Sequence, residues 1–413
     1  MKTKILFAVL LFVSIIIAGQ VPKVKTGIEV LRDSDFKILE GKKVGLVTNA
    51  SGVDHNLKST VDILFDAESI NLVALYGPEH GVRGNIEGGD AIDFYVDEFT
   101  NLPVYSLYGR TERPNEEMLK NIDVLVYDIQ DIGCRSYTFI STMGLVMEAA
   151  AKFNKEVVVL DRPNPLGGNR IEGNYVEDEF ISFISQFKIP YVYGLTCGEL
   201  AKVLNNEAML EDGSKCNLTV IPMQGWKRDM TFEETGLPWV PTSPHIPHKD
   251  SPFYYVASGI VGELRNAVSI GVGYTIPFQA FAAQWIDGNK LAEKMNSFKL
   301  EGVLFRPIYY KPYYAFGKEE SLFGVQIHIT NFKTVDLMQI EFRFLEALKE
   351  LYPDRDLFEM ASRGQVAAVD KALGTNNVRE KFIVNYKYKD VEEYLNKDVE
   401  AFRSISKKYY LYE

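Results

Sequence analysis

Four short segments gather side chains capable of chemistry. Gly77-Pro78-Glu79-His80-Gly81-Val82-Arg83-Gly84 sets a carboxyl beside an imidazole, with a guanidinium four residues after the carboxyl. Asp128-Ile129-Gln130-Asp131-Ile132-Gly133-Cys134-Arg135 carries two carboxyls, an amide and a second arginine. Asp161-Arg162-Pro163-Asn164 repeats the mixture, and Thr48-Asn49-Ala50-Ser51-Gly52 adds an amide. Carboxyls with one adjacent histidine suit general acid/base chemistry without a cofactor, glycoside hydrolysis being the leading instance. Glu79, His80 and Asp128 are the candidate catalytic groups. Asn49 or Asn164 alone reads as ordinary turn chemistry, so the weight rests on the four segments being mounted together.

Other chemistries fail on spacing. The first strand-to-helix turn lacks GxGxxG, and Gly271-Val272-Gly273 is a fragment of that pattern in the wrong place. There is no GxxxxGK[ST] and no GxSxG elbow. The close histidine pair, His245 and His248, lies in Pro-Thr-Ser-Pro-His-Ile-Pro-His, an extended loop unlike a helical HExxH frame. No cofactor and no metal are expected.

The elements that must position these segments are short apolar runs: 43–47, 71–76, 102–107, 123–127 and 156–160, with 102–107 nearer an edge because Pro103 lacks a donor. Continuous apolar strands indicate a parallel sheet covered on both faces. Ile140, Met143, Met147 and Ala150 form one face of an intervening helix. The rhythm is that of a doubly wound α/β domain. In such sheets ligands bind beyond the carboxyl ends of the strands, where all four segments fall. Thr196 to Glu199 reads as a capping box, which explains Glu199 without catalysis. Asn217 to Pro222 adds a strand. Beyond about residue 260, strands at 303–309 and 323–330 and a helix over 337–351 predict a smaller α+β domain. The division is residues 21–260 and 261–413.

The chain has 413 residues, 45 Lys plus Arg against 56 Asp plus Glu, and a net charge of −11. That balance argues against nucleic acid, whose binding depends on Lys and Arg at phosphates. Lys2 and Lys4 precede an apolar run, Ile5 to Ala18, followed by Gly19-Gln20. This is the pattern of a secretory signal peptide over residues 1–20, so the protein is expected to be exported, with membrane contact only through an uncleaved anchor. Three cysteines are too few for a disulfide scaffold and leave at least one thiol unpaired within the chain.

Taken together, the 44–52, 77–84, 128–135 and 161–168 segments, with Pro-Trp-Val-Pro-Thr-Ser-Pro (238–244) and Gly-Val-Gln-Ile-His-Ile-Thr (324–330), resemble the exo-β-N-acetylmuramidase family, the NamZ-type peptidoglycan hexosaminidases. The resemblance runs in the same order over about residues 24–413. It implies a Rossmann-like domain and a smaller carboxy-terminal domain with the site between them. It also implies release of N-acetylmuramic acid from the non-reducing ends of peptidoglycan fragments, with no nucleotide partner. Glu79 becomes the leading acid, and His80 its orienting or sugar-contacting neighbour. Arg83, Arg135 or Arg162 would receive the lactyl carboxylate, for which a planar guanidinium fork is suited. Asn49, Gln130, Asp131, Asp161, Asn164 and His245 would line the substrate. The second catalytic group would be Asp128, Asp131, Asp161 or the substrate's own 2-acetamido group.

Two departures bear on substrate preference. Similar proteins carry Glu-Gly-Thr-Asn and then Gly-Arg-Gly-Thr near the domain junction, where this chain reads Gly262 to Thr275 without the arginine. His245 stands where asparagine is commoner. A noncatalytic two-lobed binder of cell-wall sugars and a hexosaminidase of different sugar preference are the alternative readings. Trp226, Trp239 and the run Tyr309-Tyr310-Lys311-Pro312-Tyr313-Tyr314 are each open to sugar stacking or to plain packing.

Overall fold

The computed structural model describes residues 24–86 and 93–413; the amino-terminal apolar segment lies outside them. Ten strands form two sheets. The first contains β1 (Lys43–Thr48), β2 (Asn71–Gly77), β3 (Phe94–Val96), β4 (Pro103–Ser106), β5 (Val124–Asp128), β6 (Glu156–Leu160) and β7 (Asn217–Ile221), in the order β3-β4-β2-β1-β5-β6-β7. All neighbours are parallel except β3 against β4. Alternate residues of β5 face two separate cores. Leu125 and Tyr127 join one; Val124 and Val126 join the other with Ile28, Leu46, Leu75 and Val158. Burial on both faces is why these strands read as unbroken apolar runs.

The helix Phe139–Lys152 is buried over almost its whole length, more than the single predicted face, because a second layer closes over it. Gly144 lies so near the Phe187 ring that a Cβ would stand 2.0 Å from it. The second sheet, β8 (Ala280–Ala283), β9 (Val303–Tyr310) and β10 (Leu322–Ile329), is antiparallel in the order β8-β10-β9. Phe281 of β8 stacks on Phe344 of the helix Leu337–Leu351 at 4.0 Å. One apolar core runs from the first sheet into this second unit.

Two features cut across the division at 260. The helix Ser251–Gly262 packs along Leu337–Leu351, so it belongs structurally with the second unit. The last residues return to the first: Leu411 N–H donates to Glu199 Oε1 at 2.9 Å, Arg228 N–H to the Glu413 carbonyl at 3.0 Å, and Tyr412 bonds Asp161. Cys134, Cys197 and Cys216 are buried free thiols. No helix among the described residues is long and apolar enough to cross a membrane.

Candidate active site

β2 and β4 end side by side, Gly77 opposite Ser106, with Leu107 N–H donating to the Gly77 carbonyl at 2.8 Å. Their exit loops therefore face one another. After Gly77 the chain turns at once, Gly81 N–H donating to the Pro78 carbonyl at 3.0 Å. His80 and Gly81 are both left-handed, at φ +71° and +72°. For His80 that conformation is unfavourable by roughly 1–2 kcal/mol, and a hydrogen bond between its Nδ1 and the Ile86 carbonyl at 3.2 Å helps to hold it. Glu79 is left half-buried, turned toward Tyr108 of the facing loop. The Tyr108 phenol is within hydrogen-bonding reach of the Glu79 carboxyl. Burial first, and then that negative charge, push it up to about 12.

The Pro-rich loop forms the next wall. Asn49 Nδ2 donates to the Thr242 carbonyl at 3.3 Å, while Asn49 Oδ1 accepts from Ser51 N–H at 2.9 Å. Thr242 Oγ1 is 2.6 Å from the hydroxyl of the buried Tyr137. From this loop His245 reaches toward the same space. Burial first, then the positive charge of His80, lower its pKa, and Glu79 opposes them. Its Nε2 is hydrogen bonded at 2.9 Å to the Tyr314 hydroxyl of the second unit. Glu79, His80, Tyr108, Tyr137 and His245 are thus near enough to act on one another's charge, and the His245–Tyr314 hydrogen bond joins them to the second unit.

Asp128 does not join them. It is fully buried and held by two parallel hydrogen bonds from Arg162, with a third from Thr60. Arg162 Nη2 also donates to the Val53 carbonyl at 2.8 Å. Both were expected at the site; their charges are spent on each other beneath the rim. Arg83 is likewise committed, forked onto Asp97 with both distances 3.0 Å and onto Asp62 at 3.0 Å. Arg135 lies inside the protein, donating to the carbonyls of Asn174, Ile189 and Ala372, and burial lowers its pKa to about 10. Each of the three arginines expected to take a carboxylate is engaged in hydrogen bonds within the protein.

The remaining amides and carboxyls are held in hydrogen bonds within the protein. Asp161 accepts from Thr196 Oγ1 at 2.7 Å and Gly198 N–H at 2.8 Å, and burial raises it to about 6. Asp131 accepts from Gly133 N–H and Tyr193, and burial raises it also to about 6. Gln130 donates to the carbonyls of Asp131 and Pro163. Asn164 donates to the Leu195 carbonyl at 2.9 Å. Glu199 closes its capping box as predicted and also pairs with buried Arg228. Trp226 is buried against Tyr412, and half-buried Trp239 packs edge-on against Phe232 and donates to the Ile246 carbonyl.

Tyr108, Glu112 and Tyr137, which the sequence did not single out, also stand near Glu79 or Tyr108. Glu112 follows Tyr108 on the β4 exit loop, half-buried, raised by burial and close enough to act on the Tyr108 phenol. The signal was available: a loop leaving a strand beside β2 must share its rim. A half-buried carboxyl flanked by phenols and imidazoles can donate a proton to a leaving oxygen and stabilise charge without a metal. Among the described residues no three His, Cys, Asp or Glu side chains come together as a metal site.

Comparison with known proteins places the chain in a family. The amino-terminal domain of the exo-β-N-acetylmuramidase NamZ family matches residues 44–250, and its carboxy-terminal domain matches 253–412. The peptidoglycan β-N-acetylmuramidase NamZ of Bacillus subtilis (strain 168) is 42% identical over 391 residues, covering 95% of this chain and 92% of the relative. Two crystal structures of DUF1343 family proteins from Bacteroides fragilis NCTC 9343 share the fold. One is 57% identical with a TM-score of 0.91, the other 26% identical with a TM-score of 0.74, each covering 95% of this chain and 99% of its own. With both halves matched in order, the chain belongs to the exo-β-N-acetylmuramidase NamZ family of glycoside hydrolases.

Proposed function

We propose that Glu79 is the general acid of an exo-acting hydrolase that frees N-acetylmuramic acid from non-reducing ends of peptidoglycan fragments. The observation that carries this is the setting of Glu79: a half-buried carboxyl at the end of β2, facing Tyr108, with His80 and His245 beside it. Its proton passes to the glycosidic oxygen as the bond from that oxygen to the sugar's C1 breaks. The electron pair leaves with the oxygen, and the sugar passes through an oxocarbenium-like transition state. With Asp128 and Asp161 sealed in other contacts, Glu112 across Tyr108 is the second carboxyl that stabilises the developing charge. The guanidinium groups expected for the lactyl carboxylate are engaged elsewhere, so the donors left around the sugar are the imidazoles of His80 and His245 and the phenols of Tyr108 and Tyr137.

The test is Glu79→Gln on two substrates. Loss of turnover on the disaccharide N-acetylmuramyl-N-acetylglucosamine, with turnover retained on N-acetylmuramyl fluoride, supports the assignment, because fluoride departs without a proton. Equal loss on both removes Glu79 as the acid. The peptidoglycan substrate and the basic-then-apolar residues 2–18 also support export. Fractionation of cells expressing the tagged chain tests it: recovery in the cytoplasm would count against it.

A further inference from the structure

The run Tyr309 to Tyr314 and the fragment Gly271-Val272-Gly273 are brought together by the fold. Gly271 and Gly273 are left-handed, at φ +86° and +92°. Tyr313 N–H donates to the Gly273 carbonyl at 2.7 Å, and a Cβ on Gly273 would stand 2.0 Å from the Tyr314 carbonyl oxygen. The glycines thus serve a backbone-to-backbone approach that only residues without a side chain allow. Tyr274, directly after them, is sandwiched between Tyr310 at 4.9 Å and Tyr313 at 5.6 Å, with interplanar angles of 29° and 28°. Tyr310 is itself fixed, its hydroxyl donating to Ser269 Oγ at 2.7 Å. Tyr314 lies near-parallel to the His245 ring, with centroids 6.1 Å apart, besides sharing its hydrogen bond.

These tyrosines are therefore held rigidly, and yet Tyr313 is 68% and Tyr314 50% exposed. Exposed aromatic faces held in place one hydrogen bond from His245, which itself neighbours Glu79, are preorganised for a flat, amphipathic ligand. Tyr137 and Thr242 are buried and hydrogen bonded to each other, whereas Tyr313 and Tyr314 face solvent, and the Tyr314 hydroxyl bonds His245 of the same loop as Thr242. An exo-acting enzyme encloses the terminal sugar and lets the rest of the chain leave through the open end. We propose that Tyr313 and Tyr314 form the platform of the leaving-group subsite, stacking the apolar face of the N-acetylhexosamine on the far side of the scissile bond. This rests on the muramidase reading above. In it, Tyr313 and Tyr314 set which leaving sugar is accepted, and the glycines at 271 and 273 set where the platform stands.

The experiment compares Tyr313→Ala and Tyr313→Phe on N-acetylmuramyl-N-acetylglucosamine and on N-acetylmuramyl fluoride, whose leaving group is too small to reach the platform. Tyr313→Ala is expected to raise KM for the disaccharide roughly fivefold, the scale of a lost aromatic contact, with kcat/KM for the fluoride unchanged. Tyr313→Phe, which keeps the ring, stays close to the parent on both. Tyr309→Ala removes an exposed tyrosine outside this stack and is the control. Equal losses on both substrates would overturn the platform by placing the rings at the terminal sugar. No change on either would overturn it as well. A parent protein inert on both substrates would remove the muramidase reading and this inference with it.

Discussion

Arg162 grips Asp128 through two parallel hydrogen bonds, Nη2 standing 2.8 Å from Oδ2, with Asp128 wholly and Arg162 almost wholly out of solvent. Thr60 donates to the same carboxylate, and the Asp128 carbonyl accepts from Thr48 Oγ1 at 2.7 Å. The pair therefore locks the ends of β1, β5 and β6 against one another. Removing one charge of a buried pair costs roughly 3–5 kcal/mol, because the survivor stays buried and unpaired. Asp128→Asn is expected to lower the thermal midpoint by several degrees while leaving turnover per folded molecule nearly unchanged. Circular dichroism melts beside active-fraction kinetics decide it: a large fall in kcat at unchanged Tm would return Asp128 to catalysis.

Glu112→Gln has the opposite expectation. The side chain is half-buried on a loop and makes no ion pair that organises the fold among the described residues. Its loss should leave Tm within about 0.5 kcal/mol-equivalent of the parent. It should lower kcat on the fluoride as well as on the disaccharide, since charge stabilisation is needed whatever the leaving group. Unchanged kcat on the fluoride would remove Glu112 as the second carboxyl.

His80 separates loop geometry from imidazole chemistry. At φ +71° a β-branched residue is strongly disfavoured. His80→Val should therefore destabilise the protein and displace Glu79, whereas His80→Gly relieves the backbone and removes only the ring. If the imidazole assists Glu79, His80→Gly shows lower kcat with Tm equal to or above the parent's. Full activity in His80→Gly would leave the residue a loop-shaping role alone.

The fold was legible where burial leaves a simple trace. β1, β2, β5 and β6 bury both faces, so their apolar runs mark them without ambiguity. β3 left no such trace, being three residues at an exposed edge. β8 was hidden too: Ala280-Phe281-Ala282-Ala283 lacks β-branched residues because Gly324 lets its neighbour's backbone come close. At the site, the place of Glu79 directly after a strand was legible in the sequence. The pairing of Asp128 with Arg162 was not, because position at a strand end does not say toward which face the side chain turns. The bond between His245 and Tyr314 spans 69 residues of sequence and two units, so only the tertiary structure reveals it.

Glu341 gives the pH dependence a definite sign. It sits on the helix Leu337–Leu351, fully buried, accepting from the N–H groups of Val261 at 2.5 Å and Ile260 at 3.4 Å in the neighbouring helix. Burial raises its pKa from 4.5 to about 8, and Glu263 adds to the rise. The folded protein keeps a proton that the unfolded chain releases above about pH 4.5. Stability therefore falls as pH rises from there to about 8, then levels, by on the order of 3 kcal/mol at pH 7. Asp131 and Asp161, each raised to about 6, act in the same sense at lower pH. Between pH 6 and 8 His245 and His328, whose pKa values burial lowers, act in the opposite sense, so the share of Glu341 is read by replacing it. A glutamine there accepts from Val261 N–H without carrying a charge. Glu341→Gln is expected to raise Tm at pH 8 and flatten its slope between pH 6 and 8, with kcat unaltered. Thermal melts across that interval check it: parent and variant curves that run parallel would show that Glu341 does not titrate there.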